Sequence, residues 1–132
     1  MTTAKSTRPK KRIGRWLLWG ACVAVWTFAL VTTYPVEIGD ALLPQQVHFP
    51  AAKTLHVVSY AFLTVLAGWL RVRGSWRWLL LAFLALHGAA TEFIQWMWLW
   101  PKRTGSIQDV LIDLGGIALG FALSWRWWFR PA

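Results

Sequence analysis

The stretch WLLLAFLALHGAATEFIQWMWLW, residues 78–100, decides the fold of this chain. It is longer than the ~20 mostly apolar residues that carry a helix across a bilayer. Tryptophans stand at both of its ends, where indole rings favour the headgroup level. Its one charged residue is Glu92. Two more stretches read the same way: 16–34 and 54–70 hold no Asp, Glu, Lys or Arg. A fourth, 107–125, carries Asp109 and Asp113 in its first turns. There an acid costs less than the ~2.5–3.5 kcal/mol it costs at a span centre.

The rest of the composition agrees. Of 132 residues, 57% are hydrophobic and 14% charged, with twelve tryptophans. An average soluble domain has about 25% charged residues. A mean hydropathy of +0.43 excludes intrinsic disorder and leaves too little polar surface for a water-soluble globule. One cysteine, Cys22, excludes an internal disulfide framework and a cysteine-based zinc site. The expected fold class is an all-α membrane protein, a bundle of four transmembrane helices. Residues 1–15 read as a basic cytoplasmic tail and 16–128 as the membrane domain.

Orientation follows from Lys and Arg. The tail, the loop after the second span and the C-terminal end hold eleven of them and no acid, against Lys53, Lys102 and Arg103 on the other side. The positive-inside rule then places both termini in the cytoplasm of a bacterial cell, with the chain multi-pass in the cytoplasmic membrane. No A-x-A-like site follows the first span, so it reads as an uncleaved helix. Pro35, Pro44 and Pro50 mark 35–52 as an outer loop, whose middle, 38–47, reads as a short interfacial helix or an extended lid. The tryptophans at the span ends, among them Trp125, Trp127 and Trp128, read as an aromatic belt. No nucleic-acid motif is present; the partner is the lipid bilayer.

Ionisable residues inside spans point to a functional site. Lys53, His56 and Tyr60 are spaced i, i+3, i+7, as are Ser106, Asp109 and Asp113, and each set shares one helix face. Glu92 and Gln95 are i, i+3 neighbours. At about 1.5 Å of rise per residue, all of these lie within roughly 12 Å of the outer span ends, in one layer. His87 lies deeper. The layer could be glue between helices, since hydrogen bonds across spans average about 0.6 kcal/mol. It could instead be a site open to the outside, in which Glu92, Asp109 and His56 are the candidate catalytic groups. Lys53, Tyr60, Gln95, Lys102, Arg103, Ser106 and Asp113 would then bind, the basic rim holding an anionic head group. Two histidines, three acids and a basic rim exceed what glue requires. No H-x-x-x-H or H-E-x-x-H pair and no G-x-S-x-G elbow occurs, so neither a metal nor a cofactor is expected. Gly116 and Gly120 form G-x-x-x-G, which suits tight packing within the bundle.

In this order the motifs resemble those of the VanZ-like family: Lys53-x-x-His56-x-x-x-Tyr60, then Glu92-x-x-Gln95, Arg103-x-x-Ser106-x-x-Asp109 and Gly116-x-x-x-Gly120. The family usually has Asn where this chain has Asp113. The resemblance implies a small multi-helix membrane protein of the bacterial envelope, and its founding member is associated with resistance to the glycopeptide antibiotic teicoplanin. Two functions are open at this point. One is binding or modification of an envelope lipid or lipid-linked cell-wall precursor. The other is a non-catalytic helper that binds another membrane protein through its spans.

Overall fold

A computed structural model describes residues 8–99 and 104–130. Among the described residues there is no strand, and the helices are α1 (Arg8–Val31), α2 (Tyr34–Leu42), α3 (Gln45–Trp69), α4 (Trp76–Trp98), α5 (Ile107–Leu123) and α6 (Trp125–Trp128). The four longest run alternately up and down. The Trp19 indole N–H donates to the Leu63 carbonyl at 3.1 Å and the Arg15 guanidinium to that of Trp69 at 3.3 Å, so α1 and α3 are antiparallel. The Gln95 amide donates to the Leu30 carbonyl at 3.1 Å, which ties the far end of α4 to the far end of α1.

The core is apolar and narrow, built on Trp19, Leu63, Leu84, Ile117 and Trp128. The outer surface is apolar as well: Val25, Phe28, Phe62, Phe83, Leu111 and Leu119 are all exposed. A bundle whose outward face is this apolar has lipid as its solvent. Three helices are long and apolar enough to cross a membrane, namely Lys11–Val31, Gln45–Trp69 and Trp76–Trp98. Among the described residues the protein is therefore an all-helical membrane protein with three such helices, not clearly the four expected. The exception is α5, whose 17 residues span about 25 Å, short of the ~30 Å hydrocarbon core.

In lipid, helices are held by close packing and hydrogen bonds, without a hydrophobic force between them. α5 uses its small residues for this. A Cβ at Gly116 would stand 2.6 Å from the Val57 carbonyl oxygen, and one at Gly120 would run into that of Ala61. Backbone meets backbone along α3 and α5, which run parallel from the pair Lys53–Asp109 to the contact of Gly120 with Ala61 and Thr64; beyond it α6 continues the contact through Trp128 on Gly68.

Several boundaries differ from the sequence reading. The basic stretch from Arg8 to Arg15 already belongs to α1. The expected outer loop is mostly helix: Pro35 opens α2, where its fixed φ suits a first turn, and Pro50 lies inside α3. Only Leu43 and Pro44 separate the two helices. Trp128 is no belt residue. It is 2% exposed, packs on Gly68, and donates its indole N–H to the Ser124 hydroxyl at 2.9 Å. Arg15 lies over the Trp69 ring and Arg77 over the Phe129 ring, so basic residues gather at that end of the bundle.

Candidate functional site

At the opposite end, α3, α4 and α5 each turn a polar face inward. The N-terminus of α5 organises it. Ser106 is the N-cap: its hydroxyl accepts from the Asp109 N–H at 3.1 Å and donates to the Asp109 carboxylate at 3.0 Å. Its own backbone N–H donates to Glu92 Oε2 at 3.0 Å. Gly105, the residue before it, lies against the Glu92 carbonyl oxygen, where a side chain would not fit. The 104–106 segment is thus seated on α4, and it aims the first turns of α5 at α3.

The two acids of α5 then take different partners. Asp109 forms an ion pair with Lys53, the two side chains being 12% and 22% exposed. One turn further, Asp113 Oδ1 accepts from His56 Nδ1 at 2.8 Å. Glu92 Oε1 stands 4.0 Å from the same ring nitrogen. His56, Glu92 and Asp113 are 7%, 3% and 1% exposed. Burial of that degree leaves little water to satisfy them, yet Glu92 Oε1 and Asp113 Oδ2 have no hydrogen-bond partner among the described residues.

Beneath this cluster runs a fixed chain of hydrogen bonds. Thr27 donates to the Val23 carbonyl at 2.7 Å, so its hydroxyl oxygen is left to accept from His87 Nε2, also at 2.7 Å. His87 Nδ1 then accepts from the Tyr60 hydroxyl at 2.9 Å. These two donor assignments follow from the hydroxyl's single proton. The chain fastens α1, α4 and α3 together and holds Tyr60, which is wholly buried, under His56.

Of the residues singled out by sequence, the structure brings Lys53, His56, Tyr60, Glu92, Ser106, Asp109 and Asp113 together. Gln95 is not among them, because its amide is committed to the Leu30 carbonyl. Lys102 and Arg103 lie outside the described residues. Sequence reasoning missed Trp26, whose ring stands edge-on to His56 at 5.9 Å and to Tyr60 at 6.4 Å. Nothing but its position away from a span end distinguishes it from the other tryptophans. It also missed Thr27, whose partner lies 60 residues along the chain.

A cavity of about 380 Å³ adjoins the cluster between α1, α2 and α3. Leu30, Val36, Leu43, Phe49 and Leu55 line it, and His56 and Trp26 stand where it meets the cluster. Asp40 and His48 pair at 3.1 Å on the exposed part of the same lining. The result is an apolar chamber with a buried titratable group at one boundary. Sites for small molecules commonly have this form, mostly apolar with a few convergent polar groups.

The sequence pattern of the family described as VanZ/LLP1 matches residues 4–129, nearly the whole chain. No curated protein and no solved structure matches.

Proposed function

This chain belongs to the VanZ/LLP1 family, and from that membership and the geometry of its polar end we propose that it binds, and acts on or presents, an envelope lipid or a lipid-linked cell-wall precursor. The observation that carries the reading is that His56, one member of the His56–Glu92–Asp113 cluster, also lines the apolar cavity. An amphiphile has both halves of that chemistry, an acyl or prenyl part for the cavity and a polar head for the cluster.

In this reading α5 is a fourth crossing. It runs beside α3 from Lys53 to Gly68, and α6 extends it beyond Leu123. The basic end, with Arg15 and Arg77, faces the cytoplasm under the positive-inside rule, so both termini are cytoplasmic and the cluster faces the outside of the cytoplasmic membrane.

Gly39 offers a direct test. It lines the cavity, and a Cβ there would meet nothing within 4 Å, so Gly39→Phe has room at its Cβ and takes up part of the chamber. Purified in native-membrane nanodiscs, the wild-type chain is expected to enrich one lipid class over the bulk membrane, and Gly39→Phe to reduce that enrichment at least about fivefold, a factor worth ~1 kcal/mol. Identical lipid profiles for the two would contradict the proposal. If the lipid is a cell-wall precursor, wild-type expression in a teicoplanin-sensitive Gram-positive host should raise the inhibitory concentration more than Gly39→Phe expression does.

A further inference from the structure

His56, Glu92 and Asp113 come from three different helices, and one ligand atom of each lies within 4.8 Å of the other two. We propose that this triad is a binding site for a divalent transition-metal cation, of the Zn²⁺ or Mn²⁺ class. The inference stands on the cluster alone and does not depend on which amphiphile the cavity takes.

The first argument is the pair of orphaned oxygens. A buried carboxylate oxygen without a partner costs about 1–3 kcal/mol or more, so a native fold rarely keeps two side by side. Glu92 Oε1 and Asp113 Oδ2 are such a pair, both fully shielded, on residues 3% and 1% exposed. Charge gives the second argument. Among the described residues, Lys53 is paired with Asp109. That leaves two carboxylates around one imidazole, and a bound divalent cation would balance both.

Geometry is the third. Metal–ligand distances near 2.0–2.2 Å put neighbouring ligand atoms about 3–3.5 Å apart. His56 Nδ1 stands 2.8 Å from Asp113 Oδ1 and 4.0 Å from Glu92 Oε1, and the three ligand atoms lie within 4.8 Å of one another, so a cation draws Glu92 inward and takes Asp113 through both oxygens, which engages the orphaned Oδ2 as well. On binding, the proton on His56 Nδ1 leaves that nitrogen and the ring stays neutral as its Nε2–H tautomer; an imidazolium would instead release one proton to solvent. One imidazole and two carboxylates form a mixed nitrogen and oxygen set, which favours Zn²⁺ or Mn²⁺ over the all-oxygen preference of Ca²⁺. Three protein ligands leave a coordination position free for a ligand head group.

Outer supports are present as well. Glu92 is held through Oε2 by the Ser106 N–H, and Trp26 stands edge-on to the His56 ring. The sequence motif search could not see the site, because the ligands are 36 and 21 residues apart and none shares a helix with another.

The test uses the full chain, tag-free, in nanodiscs, dialysed against Zn²⁺ or Mn²⁺ and then against buffer, with metal read by elemental analysis. One equivalent per chain of either metal is expected, with affinity lowered more than about a hundredfold in Glu92→Gln. That exceeds the 10- to 100-fold typical of losing an outer partner alone. The Gln oxygen still accepts from Ser106, which favours folding. His48→Ala should keep the metal, which separates the buried triad from the exposed Asp40–His48 pair. A wild-type chain that takes up neither metal overturns the proposal without any variant. So does metal that Glu92→Gln retains or His48→Ala loses.

Discussion

Gly120→Leu is expected to leave almost no folded protein in the membrane, with yield below about a tenth of wild type. A Cβ at this position would overlap the Ala61 carbonyl oxygen and stand 2.8 Å from the Cα of Ala61 and the Cβ of Thr64. Backbone cannot rotate aside as a side chain can, so α5 must move off α3 as a whole. Overpacking of a well-packed interior costs about 1–3 kcal/mol, and a backbone collision lies at or above the upper end. Separation also breaks Lys53 from Asp109 and His56 from Asp113, since both pairs bridge the same two helices. Gly115 supplies the control. A Cβ there meets nothing within 4 Å, so Gly115→Leu should fold as well as wild type or slightly better, Leu being the better helix former. Size-exclusion yield of the two variants, expressed in parallel, checks the contrast.

Lys53→Met is expected to destabilise the bundle by about 3 kcal/mol. Removing one partner of a buried ion pair typically costs 3–5 kcal/mol, because the other charge stays buried and uncompensated. The low end applies, since the Lys53 side chain keeps 22% of its surface exposed. The abandoned charge would be Asp109, and its Ser106 hydroxyl partner cannot neutralise it. Adding Asp109→Asn removes that charge and keeps an acceptor for Ser106. The double variant should therefore regain most of the loss, a coupling well outside the few tenths of a kcal/mol expected of independent sites. Thermal unfolding of the four proteins of this cycle, in one lipid, measures it. If the double variant is as unstable as the sum of the singles, Lys53 and Asp109 do not act on one another.

The sequence made the long helices legible for a simple reason. Crossing lipid demands about 20 apolar residues, and that demand is local. The polar faces were legible for the same reason, as the spacing of Lys53, His56 and Tyr60 fixes a face without knowledge of what it meets. What it meets is not local. Gln95 has the right spacing to accompany Glu92, yet it turns to the Leu30 carbonyl, a backbone group with no sequence signature. Asp113 shares a face with Ser106 and Asp109, yet its partner is His56, 57 residues away on α3. Prolines misled in a different way. Pro35 and Pro50 read as loop markers, but Pro35 sits in the first turn of α2, where a helix tolerates proline, and α3 continues through Pro50 at the loss of one backbone hydrogen bond. α5 is not clearly a fourth crossing because its 17 residues fall short of a bilayer's thickness, although it is strongly apolar and packs tightly on α3.

The central claim is that the polar faces of α3 and α5 meet within one chain. It is tested most directly by replacing the Lys53–Asp109 ion pair with a covalent bridge. In a Cys22→Ala background, which removes the only native thiol, Lys53→Cys and Asp109→Cys are combined. The membranes are then treated with a thiol-specific linker about as long as the two side chains it replaces. The account predicts a fast-migrating, internally bridged monomer in high yield, and no such band from either single cysteine. Bridged dimers without the internal link would place the two faces at an interface between chains and contradict the single-bundle site.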